Sequence, residues 1–155
     1  MPQPKVLIVD DDPNSRAVLC DALGGKSYTL LEAADGQHAL QLANHELPDL
    51  ILLEIMMPAI DGIRVLHKLK KQTQTRAIPV IMITALSLDS QVSACLDDGA
   101  VDHICKPFSS MVVRSRVCAA WPNVSPRSTY RPWHSDVSPL QYGNKRDVEL
   151  NREYR

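Results

Sequence analysis

The chain has 155 residues, 45% of them hydrophobic, and carries 17 Lys and Arg against 18 Asp and Glu for a net charge of -1. That composition supports one packed domain and argues against disorder. Near-neutrality argues against a general nucleic-acid or membrane-surface binder, and no stretch approaches the roughly eighteen apolar residues of a membrane span.

The amino end, Met-Pro-Gln-Pro-Lys, leads straight into an apolar run without a secretory leader pattern, so a cytoplasmic location is expected. Lys5 to Asp10 reads as a strand, with Val6-Leu7-Ile8-Val9 running into Asp10-Asp11-Asp12. A helix follows from Pro13 to about Leu23. Asp12 is placed to cap it and Pro13 suits the first helical position. Val18, Leu19, Ala22 and Leu23 give it an apolar stripe, and Gly24-Gly25 ends it. Tyr28 to Ala33 is a second strand. Asp35 to about Glu46 is a helix with Ala39, Leu40, Leu42 and Ala43 inward.

Leu50 to Glu54 is the third strand, followed by the loop Met56-Met57-Pro58-Ala59-Ile60-Asp61-Gly62 and a helix from about Ile63 to Gln72. Met56 and Met57 read as loop anchors, and Lys68, Lys70 and Lys71 as a solvated helix face. Pro79 to Thr84 is the fourth strand, and Leu88 to Asp98 a helix ending at Gly99. Val101 to Cys105 is the fifth strand, running into Lys106-Pro107, and Ser109 to about Ala120 is the last helix. Regular strand–helix alternation predicts a parallel sheet covered on both faces. Cys20, Cys95, Cys105 and Cys118 form no CxxC pair and read as small buried hydrophobes.

Residues 122–155 break the pattern with four prolines and few aliphatics. They read as an irregular, disordered tail behind a domain of residues 1–121. The tail carries +2 and the rest -3. Its Asn123-Val124-Ser125 triplet is noise without a secretory route.

Three apolar runs thus end in Asp10-Asp11, Glu54 and Lys106. In open α/β sheets ligands bind just beyond the carboxyl ends of the strands. Carboxylates placed together are costly without a cation, and Mg²⁺ takes one or two carboxylates plus other oxygens. Asp11, Glu54 and a backbone carbonyl after Glu54 suit such an ion. Lys106 offers a positive charge for phosphoryl oxygens, or serves only as a salt-bridge partner to the acids. Thr84 ends the fourth strand, where its hydroxyl reaches the same oxygens.

Val9-Asp10-Asp11, Met57-Pro58 with Asp61-Gly62, Thr84-Ala85 and Lys106-Pro107-Phe108, in this order and spacing, resemble the receiver domain of two-component response regulators over residues 4–120. The resemblance implies a flavodoxin-like (βα)5 fold, a doubly wound parallel sheet of order 2-1-3-4-5 between two helical layers. It implies Mg²⁺ as cofactor and phosphorylation by a histidine kinase or phosphotransfer protein. It makes Asp10 and Asp11 the metal-binding acids, Met56 the donor of a metal-binding carbonyl, Thr84 the switch hydroxyl and Lys106 the phosphoryl contact. His103 stands where the family often has a switch aromatic. A downstream protein would dock on the face of the fourth helix, fifth strand and fifth helix, with the chain a monomer or weak homodimer.

The acceptor position departs from the family. It holds Glu54 where an aspartate is expected, one methylene or roughly 1.5 Å longer, and shifts of about 1 Å at a reacting centre cost on the order of a hundredfold in rate. The expected function is therefore a non-enzymatic phosphorelay receiver that is degenerate or partly active-like without phosphate. The alternative is a phosphate-independent interaction module. A remoter one is a haloacid-dehalogenase-type phosphatase, for which Asp10-x-Asp12 supplies the formal DxD but no cap domain or later acidic pair is present. The unpatterned tail also fits the remnant of a lost output domain.

Overall fold

The computed structural model describes residues 3–24, 27–85 and 89–120. The expectation for the tail at 122–155 lies outside the described residues. Five strands, β1 (Lys5–Val9), β2 (Thr29–Ala33), β3 (Leu50–Glu54), β4 (Val80–Thr84) and β5 (Asp102–Cys105), alternate with helices α1 (Pro13–Leu23), α2 (Gly36–Glu46), α3 (Gly62–Lys71), α4 (Asp89–Asp97) and α5 (Ser110–Ala120). The strands form one parallel sheet of order β2-β1-β3-β4-β5. This is the flavodoxin-like winding expected from the sequence.

The aliphatic strand runs conceal a two-residue period. Val6, Ile8, Leu50, Leu52, Ile81 and Ile83 pack with Leu19, Leu23, Val113 and Val117 from α1 and α5. Leu7, Val9, Ile51, Leu53, Val80 and Met82 pack on the other face with Ala39, Ala43, Val65, Leu66 and Leu69 from α2 and α3. Adjacent strand residues face opposite sides, and both sides are covered, so these runs are continuously apolar. β3 and β4 are buried along their whole length.

Helix starts follow their capping chemistry. Asp12, Asp35 and Asp61 accept from the backbone N–H of Asn14, His38 and Arg64, at 3.0, 2.8 and 2.9 Å. One inward assignment needs correction. Val18 is 47% exposed, because the α1 stripe turns only Leu19, Ala22 and Leu23 fully inward. Leu40 and Leu42 face inward as expected, partly buried against the core in which Ala39 and Ala43 are fully enclosed. Cys95 and Cys118 are buried as expected, but Cys20 and Cys105 are only half-buried.

Gly62 fixes how α3 departs from β3. Its N–H donates to the Ile55 carbonyl at 2.7 Å. A Cβ there would lie 2.0 Å from the Glu54 carbonyl oxygen and 2.8 Å from Ile55 Cα. The obstructing atoms are backbone, so the loop itself must move. Gly62→Ala is expected to cost about 1–3 kcal/mol of stability, as overpacked sites do, read from the urea-unfolding midpoint.

Candidate functional site

Four side chains emerge at one edge because their strands are parallel and in register. Asp10 follows β1, Glu54 ends β3, Thr84 ends β4 and Lys106 follows β5. The Lys106 N–H donates to the Thr84 carbonyl at 2.7 Å, which carries the β4–β5 pairing past the strand end and fixes where the lysine leaves the sheet. The Lys106–Pro107 peptide is cis.

Lys106 is the hub. Its Nζ donates to Asp10 Oδ2 at 2.9 Å and to Ser15 Oγ at 3.2 Å. It lies 3.3 Å from Glu54 Oε2. Asp10 and Glu54 are only 1% and 4% exposed, so two carboxylates share one ammonium away from water. Glu54 Oε2 accepts no hydrogen bond, and its contact with the ammonium is one of charge. The other Asp10 oxygen, Oδ1, accepts from the Asp12 N–H at 2.9 Å. Arg16 Nη1 donates to the Asp10 carbonyl at 2.6 Å, pinning the strand end from α1.

Protonation follows from this packing. Burial pushes the Glu54 carboxyl above its ordinary pKa; Lys106 opposes the rise and Asp10 adds to it. Burial works against the Lys106 ammonium, yet its hydrogen bond to Asp10 and the charge of Glu54 outweigh that and hold its pKa above the usual value.

The structure brings together the side chains of Asp10, Glu54 and Lys106 of the expected site, with Thr84 joined to Lys106 through its backbone carbonyl. Thr84 is 1% exposed. The metal set is less closed than expected. Asp11 is exposed, and among the described residues no three His, Cys, Asp or Glu side chains gather closely enough to hold an ion. The reason is Lys106, toward which both Asp10 and Glu54 turn. The donor chemistry still suits a hard cation, with two aspartates and an orphaned Glu54 oxygen at one strand edge.

Met57 anchors the loop after β3 in the core, but the Met56 side chain is 57% exposed and anchors nothing. His103 is half-buried on β5 opposite Met82, with Nδ1 enclosed and lacking a hydrogen-bond partner. Asp12, the second acid of the formal DxD, is exposed, and its carboxylate accepts from the Asn14 N–H and from Ser15 Oγ. Ser15 and Arg16 are site residues that the sequence reading missed. Their signal is position: α1 starts at the strand end bearing the acids, so polar side chains of its first turn lie beside the crevice.

A family profile described as the response regulator receiver domain matches residues 6–117. A probable transcriptional regulator of Porphyridium aerugineum is 38% identical over 117 residues, covering 76% of this chain and 48% of that protein. The phosphate regulon transcriptional regulatory protein PhoB of Escherichia coli is 36% identical over 122 residues, covering 79% and 53%. The chain thus spans about half the length of these relatives. A putative response regulator from Chloroflexus aurantiacus superposes with a TM-score of 0.74 at 31% identity, covering 78% of this chain and 99% of that one. The chemotaxis protein CheY4 of Vibrio cholerae gives 0.71 at 27% identity, covering 75% and 97%.

Removing the ammonium isolates two buried carboxylates. Lys106→Met, studied in chelator, is expected to lose about 1–3 kcal/mol at neutral pH, the cost of buried acceptors left unpaired. Glu54 then faces a second buried carboxylate without the ammonium, and its folded-state pKa, already raised by burial, rises further above the unfolded one. A raised carboxyl pKa contributes stability below the unfolded value that is lost as pH rises through the folded value. The deficit of Lys106→Met is therefore expected to grow from mildly acidic to neutral pH in parallel urea titrations.

Proposed function

The chain belongs to the receiver-domain family of response regulators, and on that premise we propose that it relays signals with a permanent carboxylate, Glu54, where the family carries a transient phosphoryl group. Upstream it engages a histidine kinase or phosphotransfer protein. Downstream it docks a protein through the α4–β5–α5 face, where Leu96, Val101, Met111 and Val112 are exposed. No helix among the described residues is long and apolar enough to cross a membrane, and the reading places the chain in the cytoplasm.

One observation carries the proposal: Glu54 Oε2 lies 3.3 Å from Lys106 Nζ in a buried crevice. Lys106 is the residue that the family uses to meet phosphoryl oxygens. The extra methylene of Glu54 extends its oxygens toward the place those oxygens would take. A carboxylate offers one charge and two oxygens, against nearly two charges and three oxygens on a phosphoryl group. A conformational equilibrium shifts only by differential interaction energy, so the expected result is a partial bias toward the active arrangement of Thr84 and His103.

Receiver domains generally bind Mg²⁺ beside the acceptor. Here Asp10 and Asp11 would hold it, with Glu54 and the Met56 carbonyl completing the set, and the ion would neutralise charge on an incoming phosphoryl group. Lys106 competes for the same carboxylates, so Mg²⁺ binding is weakened. Glu54 also displaces the acceptor oxygen by roughly 1.5 Å, far enough to cost on the order of a hundredfold in phosphotransfer. A phosphate-independent interaction module is the limit of this reading, and the contact with Lys106 favours it over ordinary phosphotransfer.

Incubation with acetyl phosphate and Mg²⁺ followed by intact-mass measurement separates the cases. Wild type is expected to gain no phosphoryl group and Glu54→Asp to gain one; a wild-type gain that Glu54→Gln abolishes overturns the degenerate-acceptor reading. The bias is read separately by NMR. Thr84 and His103 resonances of wild type are expected nearer those of beryllofluoride-treated Glu54→Asp than the same resonances of Glu54→Gln. Equal positions for wild type and Glu54→Gln would sink the active-like claim.

A further inference from the structure

Helix α3 concentrates positive charge away from the acceptor site. Its ten residues include Arg64, His67, Lys68, Lys70 and Lys71 and no acid. Residues 62–88 contain five of the 17 Lys and Arg and none of the 18 Asp and Glu, so this stretch is +5 while the remainder of the chain is -6.

The charges divide by function. Lys70 turns inward: its amine donates to the Arg76 and Ile78 carbonyls at 3.1 and 2.8 Å. His67 has a partner in Asp98, 2.6 Å away. Arg64, Lys68 and Lys71 are exposed, and no salt bridge engages them among the described residues. Spacings of four and three put these three on one outer face, opposite the buried Val65, Leu66 and Leu69.

A solvated row of cations is the ordinary explanation for such a face, and it holds for the last turn, where positive charge complements the helix dipole. It is weaker at Arg64, which lies in the first turn, where the dipole disfavours a cation and the carboxylate of Asp61 is engaged in capping the Arg64 backbone N–H. Like charges at these spacings also repel along the helix. The row therefore costs helix stability without an internal partner.

We infer that the outer face of α3 is a docking surface for an acidic helix of a partner protein. Arg64 to Lys71 spans roughly 10 Å along the axis at about 1.5 Å per residue. Carboxylates at i, i+4 and i+7 of a second helix repeat that spacing, which gives three opposed charge pairs along two turns. Nucleic acid fits less well: the rest of the chain is negative, and residues 62–88 contain no Phe, Tyr or Trp for bases to stack on. A membrane surface fits less well too, since none of the exposed large hydrophobics lies on α3. Exposed ion pairs are weak and screened by salt, so the contact is transient.

The test uses the full chain and a fluorescent helical peptide with Glu at i, i+4 and i+7. Its Gln counterpart, a short DNA duplex and phosphatidylserine vesicles are run in parallel at low and physiological ionic strength. The Glu peptide is expected to bind about tenfold tighter than the Gln peptide and to weaken with salt. Combined Arg64→Glu, Lys68→Glu and Lys71→Glu is expected to weaken it about tenfold or more, with unchanged far-UV circular dichroism, while Lys68→Arg retains binding. Lys68→Gln alone, a milder change, is expected to give a smaller loss in the same direction. No binding of the Glu peptide, no discrimination between Glu and Gln, undiminished binding by the reversed variants, or tighter binding to duplex or vesicles would each overturn the inference.

Discussion

One ammonium group between two buried carboxylates organises the functional edge of this molecule. Asp10 and Glu54 are almost completely shielded from water, and two such acids side by side cannot both stay charged without a cation. Lys106 supplies it at 2.9 and 3.3 Å. The three groups lie far apart in sequence, so the pairing forms only when β1, β3 and β5 occupy one sheet. The cation also reaches Ser15 Oγ in α1, and Arg16 of the same helix holds the Asp10 carbonyl. The acid cluster is thereby tied to the helix that begins directly after it.

The sheet makes this arrangement rigid. β3 and β4 are enclosed on both faces, and each aliphatic side chain belongs to one of two separate cores. A slip of one residue in β3 would move Leu52 and Leu53 to the wrong cores and carry Glu54 away from Lys106. Register is set by packing, and the site inherits its geometry from that register. Gly62 extends the constraint past the strand, because only a residue without Cβ fits against the Glu54 carbonyl.

The sequence was legible where a single local rule decides the outcome. Strand runs, aspartate caps and the punctuating glycines and prolines place the elements to within a residue or two, and right-handed crossovers leave few windings. Site residues at strand ends were legible for the same reason, since a parallel sheet gathers its carboxyl ends. Rotation of a helix about its own axis was not. Val18 fits an apolar stripe on paper but stays exposed. Ser15 has no motif, and its role depends on where Lys106 arrives from β5. The looser grouping of Asp10, Asp11 and Glu54 was equally hidden, because it depends on which carboxylates the ammonium draws, a choice made among side chains distant in sequence.

The substitution at residue 54 has to be weighed against that network. A shorter acid at the end of β3 would leave more of the Lys106 ammonium for a ligand at the crevice mouth. Glu54 instead brings its own oxygen to the ammonium, and burial raises its proton affinity while Lys106 lowers it. Its Oε2 accepts no hydrogen bond, so the carboxylate is held by charge and packing, without the directional contacts that three phosphoryl oxygens would make. On the proposed reading, attraction without direction holds Lys106 in place and leaves Thr84 and His103, the expected switch groups, less constrained. On the same reading, that difference in directionality lets a built-in carboxylate at this position bias the conformational equilibrium without completing it.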